Sequence, residues 1–290
     1  NGAAAIFLLN VLVLAAIAVH LAPVMHWRGK GPNSYLARYG AAVRARLTTP
    51  HDVVLLTETD LAPLPAPVQR YIRQSGAVGQ PRIENFRARF HGRIRSGPTA
   101  RWMPFTGEQH NFFDPPARLF LMDATMFGVP FQAFHRFVDG AATMQVRVAT
   151  LKTVVDAKGA VMDESETVTL FNDMAIMAPG ALVSKQITWE AVDDTTACAA
   201  FTNGAWTIHA TLTFNAAGEL VDFFSDDRAA SSADGTTFTR MRWSTPVRNY
   251  GRYGAVRLAG YGEGHWHASA GEFAYLEFEL DRVDYNVRRE

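Results

Sequence analysis

Glu263, His265 and His267 recur at every second position of a strand-like segment. Side chains two apart on a strand project from one face, so two imidazoles and a carboxylate could share a divalent cation there. No distant ligand with motif-like spacing completes the set, and a solvated polar face accounts for the same pattern. Other chemistry is weaker still. Ser244 stands before Thr245-Pro246 in a turn-like setting with no G-x-S-x-G elbow around it. Cys198, the single cysteine, lies between Ala197 and Ala199-Ala200, which suits a small core residue better than a reactive thiol. The paired acids Asp193-Asp194 and Asp226-Asp227 sit at turns, where carboxylates cap backbone amides. Glycine-rich phosphate loops are absent from the sequence, so no nucleotide cofactor is expected. The expectation is therefore a protein that is not an enzyme and carries no cofactor or metal.

A second set of residues could bind rather than react. Trp102, Phe105, Phe120, Met122, Phe127 and Phe131 crowd large apolar groups into a short stretch. Such residues build a core, and they are also what an adaptable pocket for an acyl chain would use. Nearby, Arg87, Arg89, Arg93 and Arg95 fall on alternate positions and define a basic strand face, able to meet anionic headgroups or an acidic protein. That face has no interleaved aromatics, and Lys plus Arg equals Asp plus Glu at 28 each. Nucleic acid is accordingly not an expected partner.

The elements that must position these groups follow from periodicity. Phe86, Ala88, Phe90, Gly92 and Ile94 alternate with the basic residues, and Trp206, Ile208, Ala210, Leu212 and Phe214 alternate with Thr and His. Both patterns are strands with one apolar face. Further strands are expected at 119–124, 131–138, 143–149, 187–192, 219–225, 238–243, 256–267 and 273–287. One helix interrupts them, starting from a capping box of Asp163 and Glu166 and stopping at Pro179-Gly180. The fold class expected is mainly β: a large curved antiparallel sheet or partly closed barrel with one or two helices.

From Asn1 to Trp27 the sequence has no charged side chain, and residues 3–19 are apolar apart from Asn10. This is about the length a bilayer-spanning helix needs. Domain limits are thus expected at 1–27 for a transmembrane anchor, 28–80 for a basic, proline-rich helical linker, and 81–290 for the β domain. Trp27, Arg28, Lys30 and Arg38 would mark the membrane interface. The positive residues after the anchor place the globular part on the cytoplasmic side of a bacterial inner membrane. Residues 33–47 put Leu36, Tyr39, Val43 and Leu47 on one stripe, for a helix lying on headgroups or packed on the domain.

Blocks at Trp102-Met103-Pro104-Phe105, Asp114-Pro115-Pro116, Trp243-Ser244-Thr245-Pro246 and Asp284-Tyr285-Asn286-Val287 carry a resemblance to a family of uncharacterised bacterial proteins. That family commonly places a domain of unknown function after a membrane segment, and the resemblance implies no catalytic residues. Two readings of function remain. One is a non-catalytic accessory subunit whose anchor docks on membrane-protein partners in the lipid bilayer. The alternative is a membrane-tethered binding module or carrier for a lipid or other apolar ligand.

Overall fold

The computed structural model describes residues 29–48, 52–232 and 234–289. The expected anchor, with Trp27 and Arg28, lies outside them. No helix among the described residues is long and apolar enough to cross a membrane.

Three helices precede the sheet: α1 (Tyr35–Arg46), α2 (Glu58–Leu61) and α3 (Ala66–Ser75). An antiparallel meander follows, β1 (Asn85–Ile94), β2 (Met103–Phe113), β3 (Pro116–Met126), β4 (Val129–Val138), β5 (Ala141–Val148) and β6 (Lys152–Lys158). After the long helix α4 (Ala160–Met177) comes a second meander, β7 (Ile187–Ala191), β8 (Thr196–Asn203), β9 (Trp206–Phe214) and β10 (Leu220–Ser225). A hairpin of β11 (Ala229–Ser231) and β12 (Phe238–Arg240) leads to β13 (Trp243–Ser244), β14 (Val247–Tyr253), β15 (Val256–Ala268) and β16 (Gly271–Tyr285). The order across the sheet is β6-β5-β4-β3-β2-β1-β16-β15-β13-β10-β9-β8-β7, with β14 also on β15. Every named pairing is antiparallel, and the two meanders are joined through β16 and β15.

Bulges at Arg89/Phe90, Val146/Arg147, Leu220/Asp222 and Gly264/His265 interrupt the register and increase local twist. The sheet curls into an antiparallel half-barrel, and α4 lies in its concave side. Every residue of α4 from Ser165 to Met177 is buried, as befits a helix enclosed all round. Phe171 stacks on Phe201 at 5.2 Å and meets Phe223 edge-on at 5.5 Å.

The capping box expected at Asp163 and Glu166 is not formed. The chain leaves β6 through Gly159 at φ 107°, and the helix starts at Ala160. Asp163 instead accepts the Ala142 N–H at 2.6 Å, and Glu166 points into the interior.

The stretch expected to be a linker belongs to the packed domain. On the convex face, Tyr35, Tyr39 and Val43 of α1 pack against Phe112, Leu119, Leu121 and Phe134 of β2–β4. This realises the packed reading of that helix, with its stripe rotated: Leu36 is 49% exposed, and Tyr35 takes the inward place beside Phe134. From α3, Val68, Tyr71 and Ile72 join the main core, and the Tyr71 hydroxyl donates to the Ala175 carbonyl at 2.8 Å.

Register defines two ends of the half-barrel. The turns at 95–102, 127–128, 149–151 and 269–270 share one end, called here the hairpin rim, and those at 114–115 and 139–140 lie at the other. At its two ends α4 is tied to this second end. Asp163 bonds at Ala142, and the Tyr285 hydroxyl donates to the Met177 carbonyl at 2.5 Å.

Candidate ligand-binding site

The inward faces of β2–β5 carry Phe105, Phe120, Met122, Phe131 and Met144, in register across neighbouring strands. Gly107 makes room for this set. A Cβ there would come within 2.8 Å of Phe120 and 2.9 Å of Phe90, so glycine lets those two rings stack at 5.6 Å. Phe105 and Met122 are buried, whereas Phe120, Phe131, Met144, Tyr275 and Leu276 remain half-buried. Concave-face apolar groups therefore stay accessible on the side of α4 that faces the hairpin rim.

The β11–β12 hairpin borders this region as a strap. Its Gly235 lies against Val155 and Ala157 of β6, while the Ala229 N–H donates to the Ser165 hydroxyl of α4 at 3.1 Å. Arg240 pairs with Glu164. The strap thus runs from β10 along the helix to the opposite wing. Where it starts, Arg228 places its guanidinium over Trp243 at 4.2 Å and Trp266 at 5.2 Å from the ring centres. Its Nε donates to the Thr169 hydroxyl and one Nη to the Tyr275 hydroxyl, each at 3.2 Å. Those acceptors are neutral; no described carboxylate makes a direct ion pair with Arg228, although its charge reaches Glu166 and helps to hold that carboxyl down. A half-buried cation framed by aromatics and hydroxyls has the chemistry to receive an anionic group.

Beneath the apolar set lies a closed polar layer. Arg118 on β3 donates Nε to Asp173 at 2.7 Å, Nη1 to Glu166 at 3.1 Å and Nη2 to Gln109 at 3.0 Å, and Gln109 and Asn111 also donate to Asp173. Burial would raise the Glu166 carboxyl, but Arg118 and His135 outweigh it and hold Glu166 at about 2. For Asp173 burial wins and pushes the carboxyl upward despite Arg118 and Asn111. The Nδ1 of His135 is buried without a hydrogen-bond partner, 3.6 Å from Glu166. This network locks α4 to β2 and β3.

Two of the six apolar residues singled out from sequence lie elsewhere. Trp102 is on the convex side, under the guanidinium groups of Arg93 and Arg95 at 4.8 and 4.4 Å. Phe127 is 78% exposed at the β3–β4 turn. Cys198 also departs from its core expectation. Ala197 and Ala199 take the inward positions of β8, and half-buried Cys198 lines an open groove of about 460 Å³ with His209, Thr211 and Phe224.

The basic face on β1 is convex, as the alternation required, but largely neutralised. Arg87 and Arg89 meet Glu108, Arg93 grips Glu277 through two bonds, and Arg95 donates to backbone carbonyls. It offers little free charge to headgroups. Glu263 and His265 do approach each other, at 2.7 Å, but the other His265 nitrogen is taken by Glu272 and His267 bonds Ser244 at 2.8 Å. Both ring nitrogens of His265 are thus engaged by carboxylates, and among the described residues no three His, Cys, Asp or Glu side chains are grouped to hold a metal ion. Ser244, His267 and Glu272 form a line, yet Ser244 is only 3% exposed and His267 stands 3.6 Å from Glu272. Its hydrogen bond ties β13 to β15.

A model of a family of unknown function, DUF6544, matches residues 54–278, and the chain belongs to that family. No curated protein matches it. Among solved structures it is similar to a putative outer membrane lipoprotein-sorting protein domain from Vibrio parahaemolyticus, at 11% identity over 71% of this chain and 87% of that one, TM-score 0.37. A DUF1329 family protein from Desulfovibrio piger matches at 10% identity over 79% and 95% of the two chains, TM-score 0.40. A LolA superfamily protein from Nitrosomonas europaea matches at 9% identity over 82% and 95%, TM-score 0.33. Likenesses this distant do not bear on what the chain binds.

Proposed function

We propose that this protein is a non-catalytic, membrane-tethered binding module that holds a lipid or other apolar molecule with an anionic end on the rim side of its half-barrel. One observation carries the reading: inward-facing Phe120, Phe131, Met144 and Leu276 are left half-buried, and on the same concave side Arg228 donates its hydrogen bonds to neutral hydroxyls. Water against such a surface is unfavourable at roughly 25 cal/mol per Å² of apolar area, so an acyl chain displacing it gains affinity. Arg228 then orients the ligand by its charged end. The tether is the apolar run of residues 3–19.

The accessory-subunit reading draws on that same run, which lies outside the described residues, and it requires stoichiometric partners after purification in mild detergent. Native mass spectrometry of the full chain separates the two. A co-purifying amphiphile, lost in Phe131→Asp and weakened in Arg228→Gln, supports the binding module. A ligand-free monomer that also takes up no added fatty acid overturns it.

A further inference from the structure

Several hydrophobic groups on the hairpin rim point away from the domain. Phe127 and Gly128 form the two-residue turn between β3 and β4, both with positive φ, at 51° and 81°. Asn, Asp or Gly adopt this conformation at little cost, whereas a bulky residue is strained in it. Here the strained residue is a phenylalanine at 78% exposure, flanked by Met126 at 41% and Val129 at 42%. Arg101 lies over the Phe127 ring at 5.5 Å. Lys30 and Lys152, on the same rim, are exposed. Among the described residues, none of these three cations has an ion-pair partner. Apolar tips ringed by free cations suit a surface that is apolar beneath an anionic layer.

A separate observation bears on which way this rim faces. The hydrogen-bonded course of α1 runs from Arg38 beside Gln145 to Arg46 beside Pro115, that is, away from the rim. At the beginning of the described chain, Gly29 sits against the Thr150 methyl of the β5–β6 tip, 3.4 Å from where a glycine Cβ would stand. The apolar run 3–19 precedes this point by only ten residues of sequence.

We infer that the hairpin rim docks on a lipid bilayer bearing anionic headgroups, with the Phe127 tip inserted at the interface and the open side of the concave face turned toward the membrane. The bound-lipid reading above gains an entry route from this orientation, and the inference builds on that reading. Lipid would pass between bilayer and concave face without crossing water.

The test uses the full chain in vesicles of phosphatidylcholine with and without phosphatidylglycerol, on a Cys198→Ala background. A single cysteine replaces Phe127, or Asp139 at the opposite end, and carries an environment-sensitive fluorophore. Docking requires a blue-shifted label at 127 that lipid-borne quenchers reach, a greater effect with phosphatidylglycerol, and a water-like label at 139. Arg101→Glu with Lys152→Glu should diminish the effect at 127 several-fold. Water-like emission at both sites overturns the inference, and if lipid is still retained by mass spectrometry the binding module stands without it. A shielded label at 127 that lipid quenchers cannot reach, or that cross-links to a second copy, assigns the rim to protein and equally overturns bilayer docking.

Discussion

The two halves of the concave face are built from the same residue types and are covered to different degrees. Near the 114–115 and 139–140 turns, α4 covers the sheet, and Phe86, Phe137, Phe171 and Phe201 are buried to 1% exposure or less. Toward the rim no described helix covers the sheet, and among the buried Phe105 and Met122 the rings of Phe120 and Phe131 stay half-buried. Close packing resists change in the first half, because every removed atom leaves a void. In the second half a side chain can be altered with little effect on the fold. On the proposed reading, stability and binding fall to different ends of one surface.

Mutations can break this division or sharpen it. The largest effects belong to the covered half. Arg118→Ala strands Glu166 and Asp173 without their cation and should cost about 3–5 kcal/mol in denaturant unfolding. Phe171→Ala should cost a similar 3–5 kcal/mol through lost burial and a cavity. An unfolding midpoint unmoved by either would mean that α4 does not hold the fold.

Next comes a pH effect at the α1 dock. Burial lowers His110 to about 4, and its Nδ1 lies 2.7 Å from the Tyr39 hydroxyl. The folded protein thus binds fewer protons than the unfolded chain between about 6.5 and 4. Stability from this group is complete above pH 6.5 and is lost on acidification toward 4, by at most about 1.4 kcal/mol per pH unit. Urea midpoints across that window should fall less steeply in His110→Gln than in the parent.

Smaller stability changes are expected in the open half. Phe131→Ala should cost about 1 kcal/mol, well under the core value, yet reduce ligand retention markedly. Arg228→Gln should leave the unfolding midpoint nearly unchanged and weaken binding of an anionic amphiphile by about tenfold or more, as loss of a charged hydrogen bond implies. A core-sized loss of stability from Phe131→Ala would erase the distinction between the halves.

Strands were legible wherever one face is apolar, as at Phe86 to Ile94, because period two survives in the sequence. The curl and its two ends were not. The half-barrel depends on pairings such as Phe86 with Tyr285, far apart in the chain. Arg228 carries no spacing signal, since its aromatic frame comes from β13, β15 and β16. The buried layer did leave a trace: Arg118 interrupts an inward alternation that continues through Phe120, Met122 and Ala124. Glu166 and Asp173, seven apart, fall on one face of the helix, so two acids recur at helical spacing in a segment that also carries Val168, Leu170, Phe171 and Met174. Phe127 read as pocket or core because composition does not reveal which aromatic falls on a turn.

The seam formed by β16 has a consequence for how the molecule is assembled. Both meanders consist of neighbouring strands and can pair locally as they are synthesised. Arg93, however, waits for Glu277, and the bond between Glu84 and Asn286 spans 202 residues. Contacts of such sequence separation slow folding. Until residues 271–285 leave the ribosome, β1 presents an unpaired edge alongside a greasy inner face. The nascent chain is then most exposed to mispairing just before its last long strand arrives, which makes that interval the natural point for chaperone protection.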